Sequence, residues 1–388
     1  MSKSAHFKLF AFFSILVFCG TLISQEGHSE TLWVKGQGDY NNYRIPSLIV
    51  TKSGTLVAFC EGREGGDAGD IDILVRRSLD HGQTWSEESV VWDDNDNTCG
   101  NPCPVIDRET GRIWLFMTWN LGKDHESLIV RKESEDTRRP FLCTSDDDGK
   151  TWSTPVDMSD SCKDPDWGWY ATGPGVAIQL TSAPYQGRLV IPANHSYDDP
   201  DGNIRGGPFS YGSHVLISDD KGKTWRKSEP IRPGCNESQV VECSDGSLIM
   251  NMRSYNDQYC RAMAKSVDGG ETWSDIWHDH QLVESKCQAS FINFGDYDGK
   301  EMILFSNPAV AIGRTHMTIR TSFDNAKTWS NSKLIHAGPA AYSCMTKLPD
   351  NRIGLLFEGG QEDRYENIFF LAFPAKSLFQ TDDIMTLE

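Results

Sequence analysis

The chain predicts an all-β fold, a six-bladed β-propeller, and three observations carry that expectation. A short motif recurs five times, β-branched apolar runs precede its copies, and no long amphipathic helix interrupts them. The 388 residues are 38% hydrophobic and 11% aromatic, which is ample for a packed core. A propeller reaches that size as a single domain by repeating its blade.

The motif reads SLDHGQTW from Ser78, SDDDGKTW from Ser145, SDDKGKTW from Ser218, SVDGGETW from Ser266 and SFDNAKTW from Ser322. Its pattern is Ser-x-Asp-x-Gly-x-Thr-Trp, broken once where Ala326 replaces the glycine. This is the chemistry of a strand-joining turn. Ser and Asp side chains accept backbone N–H bonds, Gly supplies positive φ, and Trp anchors the hairpin in apolar packing. Runs such as Ile71 to Val75, Ile113 to Met117, Val215 to Ile217 and Met317 to Thr321 read as the strands leading into these turns. Start-to-start spacings of 67, 73, 48 and 56 residues suit one four-stranded blade with its loop. Five marked blades and one unmarked stretch give six, with the ring closed by the two chain ends.

Residues 1–24 read as a targeting segment. Lys3 and Lys8 precede the apolar run Leu9 to Ile23, and the chain turns polar at Ser24. A run of this length, with these flanks, is shorter than most spanning helices and suits a cleaved signal peptide, so secretion or another extracytoplasmic location is expected. Residues 25–388 then form one propeller domain. The formal net charge is −18, and loss of the two leader lysines makes it more negative still. Such a chain is a poor partner for nucleic acid or an anionic membrane, and an anionic ligand requires a local basic cluster. Ten cysteines follow the leader without a dense disulfide framework, and several sit in apolar strands, so most read as small buried hydrophobes. Cys99 and Cys103 lack a second pair or a histidine at ligand spacing, and no metal or cofactor is expected.

The repeats resemble the Asp-boxes, or BNR repeats, of the sialidase family, and residues outside them extend that resemblance from Tyr43 to about Phe373. Tyr43-Arg44-Ile45-Pro46, leading into the strand Ser47 to Val50, is similar to the family's Arg-Ile-Pro motif. Arg253, ending Ser247-Leu-Ile-Met-Asn-Met-Arg, and Arg314, before His316-Met-Thr-Ile-Arg, follow in family order. The resemblance implies that these three arginines grip a substrate carboxylate. Guanidinium forks suit that task, because they stay charged and hold a planar anion in one orientation. Arg76, Arg77 and Arg320 read as rim residues outside it.

Asn236-Glu237-Ser238-Gln239-Val240 resembles the family's glutamate segment, and Ala341-Tyr342-Ser343-Cys344 its tyrosine segment. By that resemblance Tyr342 is the nucleophile and Glu237 its base. A neutral phenol approaches a carboxylate-bearing anomeric carbon without the repulsion an aspartate or glutamate would meet, and sialidases with a tyrosine nucleophile are a recognised exception to the two-carboxylate scheme. The resemblance also places the acid/base on the Gly-rich stretch Glu61 to Asp72, just after Arg63. Spacing favours Asp67, with Asp70 second and Asp72 read as a structural strand residue. Arg63 is placed against the sugar by resemblance. Glu358 is the expected partner of Arg44, with Glu366 the competing choice.

Asn236-Glu237-Ser238 and Asn194-His195-Ser196 are formally glycosylation sequons, the first discounted because a glycan there would block the site. The resemblance implies an exo-α-sialidase that hydrolyses terminal α-linked sialic acids from glycoproteins, glycolipids or oligosaccharides with retention. Two alternatives stay open. One is a trans-sialidase or anhydro-forming enzyme, whose acceptor site Trp167 to Gly175 could line; the other is a non-catalytic glycan-binding propeller.

Overall fold

The computed structural model describes residues 27–380. The expected leader lies outside them. No helix among the described residues is long and apolar enough to cross a membrane.

The strands form a six-bladed β-propeller of antiparallel blades, with blades 1 and 2 linked by one parallel bridge, Ile71 to Thr98, and blades 5 and 6 by a shared strand. Blade 1 comprises strands Asn42–Val50, Leu56–Arg63, Ile71–Ser78 and Ser89–Trp92, from the axis outward. Blade 2 follows with Thr98–Ile106, Ile113–Asn120, Arg139–Ser145 and Val156–Asp157. In blade 3 the innermost position is shared by two short strands, Tyr170–Thr172 and Ile178–Gln179, against Leu189–Asp198, Phe209–Ser218 and Arg226–Lys227. Blade 4 is Cys235–Glu242, Leu248–Ser254, Cys260–Ser266 and Trp277–Val283.

Blades 5 and 6 share the strand Asn331–Lys347. Its first part is the outer edge of blade 5, beyond Ser290–Tyr297, Lys300–Pro308 and Thr315–Ser322. Its second part is the inner strand of blade 6, beside Arg352–Gly359 and Asn367–Pro374. The N-terminal strand His28–Val34 completes blade 6, pairing Trp33 with Ile368 and His28 with Ala372. The ring is therefore closed by the two ends of the chain. Leu32 and Trp33 are buried at that closure among Leu48, Leu356 and Phe370, and each such side chain contributes about 1.5–3 kcal/mol on burial.

Every repeated motif begins on the last residue of a third strand, in blades 1 to 5, and turns the chain toward the outer strand. The blade 3 copy shows the expected bonding. Ser218 Oγ accepts from Gly222 N at 2.8 Å, while Asp220 takes Thr224 N at 2.9 Å and the Thr224 hydroxyl at 2.7 Å. Two successive residues of each turn are left-handed, Lys221 and Gly222 here, with φ of 63° and 85°. A Cβ at Gly222 would meet Trp114 at 2.3 Å. The degenerate copy bends the same way, because Ala326 holds φ of 58° and its N–H still reaches Ser322 Oγ at 3.0 Å.

Short helices occur only at Glu126–Val130, Ser159–Cys162 and Ala375–Phe379 among the described residues. All ten described cysteines are buried and free. Near the axis, Gly173-Pro174-Gly175 crosses between inner strands. Pro174 O accepts from Gln239 Nε2 at 2.9 Å and Gln288 Nε2 at 3.2 Å, and Gly175 O accepts from Ser47 at 2.7 Å. This crossing ties the inner strands of blades 1 and 4, which carry Arg44 and Glu237, to the segment entering blade 5.

Candidate active site

The inner strands deliver Arg44, Glu237 and Tyr342 to one end of the propeller, and second strands, a short helix and the neighbouring loops add the rest of a pocket of about 320 Å³. Arg44 does not precede its strand as the sequence suggested. It lies inside Asn42–Val50, at a register shift between Arg44 and Ser47. Ile45 there has φ of 61°, a left-handed conformation costly for a β-branched residue. The bend lets consecutive groups meet one carboxylate. Glu358 Oε1 accepts from Arg44 Nε at 2.8 Å and Ile45 N at 2.7 Å, and its Oε2 accepts from Tyr342 N at 3.0 Å. Glu358 is 0% exposed. Burial alone would lower the Arg44 pKa, but Glu358, with smaller contributions from Tyr365, Tyr342 and Asp67, outweighs it and the guanidinium stays charged. Glu366 instead caps its own loop, accepting from the backbone N–H groups of Gln361, Glu362 and Asp363.

Tyr342 Oη donates to Glu237 Oε1 at 2.6 Å. Arg253 Nη1 reaches Glu237 Oε2 at 2.7 Å and Tyr342 Oη at 3.1 Å. Burial, and then the Glu237 charge, push the phenol pKa well up, while Arg253 and Arg314 pull it down. The resting tyrosine is thus neutral, with its proton directed at a carboxylate. Arg314 closes the third side, its Nη1 on Tyr365 Oη at 3.0 Å and its Nη2 on Lys286 O at 2.9 Å.

The three aspartates of the glycine-rich stretch have different surroundings. Asp67 Oδ1 receives Arg63 Nη1 at 2.6 Å and Arg44 Nη1 at 3.5 Å, and its side chain is 84% exposed at the pocket mouth. Burial is the largest single influence and raises the carboxyl, but Arg63, Arg44 and Arg314 together outweigh it and hold it below the ordinary carboxylate value. Asp70 is outside the pocket, where burial and Asp93 raise its carboxyl. Asp72 accepts from Tyr40 Oη at 2.6 Å within its strand. Arg63 is itself fixed by Glu61, whose Oε2 receives Nε at 2.8 Å and also Nη2, and whose Oε1 accepts Asn101 N at 2.6 Å.

Several pocket residues carried no signal in the sequence. Tyr365 lies under Arg44, ring centroid to Cζ 3.8 Å, and Tyr255 Oη accepts from Arg253 Nη2 at 2.7 Å. Arg138 is buried on Asn101, Thr118 and Asn120 beneath Trp169, with burial lowering its pKa to about 10. Glu126 holds Arg205 and Tyr211. Of the segment expected along an acceptor site, Trp169 and Ala171 reach the pocket; Trp167 is buried against His195, ring centroids 3.6 Å apart. Both sequon asparagines are buried, Asn194 and Asn236, so neither presents a glycan acceptor. Arg76, Arg77 and Arg320 lie outside the pocket.

A six-bladed propeller with five Asp-boxes and an arginine-rich pocket defines a class, and residues 54–356 match the BNR repeat-like domain. Within it, the chain is 35% identical over 354 residues to the sialidase of Micromonospora viridifaciens, across 87% of this chain and 53% of that protein. It is 31% identical over 348 residues to the exo-alpha-sialidase of Aspergillus fumigatus, across 82% and 79% of the two. The solved Hadza microbial sialidase Hz136 has a TM-score of 0.76 at 32% identity, over 87% of this chain and 67% of that one. The chain belongs to the sialidase family. It spans about half the length of the Micromonospora relative.

Proposed function

We propose that this protein is an exo-α-sialidase that hydrolyses terminal α-linked sialic acids with retention, through a tyrosyl-enzyme intermediate. The observation that carries the reading is the Tyr342–Glu237–Arg253 contact, set beside Arg44 and Arg314. A substrate carboxylate takes its place among the three arginines, which brings the anomeric carbon to the tyrosine. The phenol oxygen then bonds to that carbon as the glycosidic C–O bond breaks, and its proton passes to Glu237. Asp67 gives a proton to the departing oxygen. In the second step Asp67 takes a proton from water, the water oxygen bonds to the anomeric carbon, and tyrosine leaves with its proton returned from Glu237.

Asp67 is ionised in the free protein, so it must gain its proton in the complex. The bound carboxylate supplies the cause. It offsets the field of Arg44 and displaces water, and both effects raise an aspartate pKa. Arg63 acts on the same atom, with Glu61 behind it. The apolar leader supports export, and sialylated glycans outside the cytoplasm are the proposed substrates.

The test is release of free sialic acid from a fluorogenic α-sialoside by purified protein. Tyr342→Phe should abolish turnover while retaining the thermal transition. Wild-type protein inert on every sialoside would sink the enzymatic reading in favour of glycan binding alone.

A further inference from the structure

Seven arginines and four carboxylates line the pocket of a chain whose net charge is −18. Glu358 behind the wall adds a fifth carboxylate. Two positive charges therefore remain, and one substrate carboxylate offsets only one of them. Most of these arginines have a carboxylate or several neutral acceptors. Arg364 makes no salt bridge or hydrogen bond among the described residues; the only carboxylate it acts on is the neighbouring Asp363, which is itself held by Lys35. Its Nε is buried without a hydrogen-bond partner, and its Cζ lies 5.2 Å from the Tyr365 ring centroid.

The position of Arg364 sets what it can meet. Lys35 joins Asp363 at 3.1 Å, and Lys35 N donates to Glu366 O at 2.8 Å. Asn41 Nδ2 donates to Glu64 Oε2 at 2.7 Å. The segments around residues 35–41, 64–70 and 360–366 thus form one continuous rim, with Asp67 and Arg364 on it. In the proposed function Asp67 protonates the leaving oxygen, so this rim faces the aglycone.

We infer that Arg364 recognises a second negative charge on the leaving group, making aglycones that carry a carboxylate or sulfate the preferred substrates. The inference rests on the sialidase reading of the same pocket. A second sialic acid and a sulfated sugar share this chemistry, so both serve as probes. An unpaired guanidinium in a low-salt, partly desolvated rim gains from an anion that a neutral aglycone cannot offer.

The experiment measures kcat/KM for three sialosides: a neutral sialyllactose, an α2,8-linked disialyl oligosaccharide and a 6-sulfated sialyl oligosaccharide. The quantity read is the ratio of each anionic substrate to the neutral one. Arg364→Gln is expected to lower at least one ratio by about fivefold at low salt, and Arg364→Lys to keep most of it. Raising the salt to about 0.5 M should lower the wild-type ratio toward that of Arg364→Gln. A fall confined to the disialyl or to the sulfated substrate identifies the source of the charge. Equal loss on all three substrates, or ratios unchanged in Arg364→Gln, overturns the inference while leaving the sialidase reading intact. Wild-type protein that cleaves none of the three overturns the underlying reading instead.

Discussion

Glu358→Ala tests how the site is held together, because this side chain alone joins Arg44 to the backbone of Tyr342. Its two oxygens accept one guanidinium N–H and two backbone N–H groups, at 2.7 to 3.0 Å. Alanine leaves all three donors buried without that acceptor. Removing one partner of a buried ion pair costs about 3–5 kcal/mol. Roughly 350 ordered residues, at about 2.1 cal/mol/K each, give an unfolding entropy near 0.7 kcal/mol/K, so Tm should fall by about 4–7 °C. Glu358→Gln keeps the shape and one acceptor oxygen and should fall less. In kinetics, Arg44 and Tyr342 shift together, and a displacement of about 1 Å at reacting groups costs about a hundredfold in kcat/KM. Scanning calorimetry with steady-state rates on a fluorogenic sialoside reads both effects. A Glu358→Ala protein within about 1 °C of wild type and within about twofold in kcat/KM would refute the reasoning.

Three further outcomes are expected. Arg63→Gln removes the largest of the charges that hold Asp67 low, so the limb of the kcat/KM profile in which the acid loses its proton should move to higher pH; an unmoved limb contradicts the pairing. In the turns, bonds from Thr151 and Thr224 outweigh the upward pull of burial and set Asp147 and Asp220 at about 2 against an ordinary 3.8. These folded-state values are depressed, so their stabilisation is complete above about pH 4 and disappears as pH falls toward about 2; Tm measured across that window should drop, less so in Asp220→Asn. The ten described thiols are buried and free, so an alkylating reagent should leave them unlabelled in the native protein and label all ten after denaturation without reductant.

The architecture was legible because its signal is local. A Ser-x-Asp-x-Gly turn closes its own hydrogen bonds within a few residues, so each copy marks the end of a third strand wherever the chain later places the blade. Ala326 looked like a departure, yet the backbone tolerates it, because its turn keeps the serine and aspartate bonds and its methyl packs beside Phe291 and Trp329. The inner-strand residues Arg44, Glu237 and Tyr342 were legible through motif resemblance. Spacing favoured Asp67 over Asp70, but the loop's composition does not show which of the three meets an arginine: Asp67 receives Arg63 and Arg44, Asp70 stands beside Asp93, and Asp72 is held by Tyr40. Tyr365, Arg138, Glu126 and Arg364 were invisible for a related reason. Each reaches the pocket from a loop or a short helix, and its role depends on partners far along the chain, such as Arg44 over Tyr365. The strand bend at Ile45 was also hidden, because its left-handed backbone is imposed by Glu358, 313 residues away.

The central claim is that Tyr342, prompted by Glu237, bonds to the sugar. The direct measurement is peptide mass mapping after incubation with a sialosyl fluoride bearing a second fluorine beside the anomeric carbon, which slows release of the intermediate. The account predicts a sugar adduct on the peptide containing Tyr342, absent in Tyr342→Phe. An adduct on Glu237 or Asp67, or turnover of the reagent with no adduct on any peptide, contradicts it.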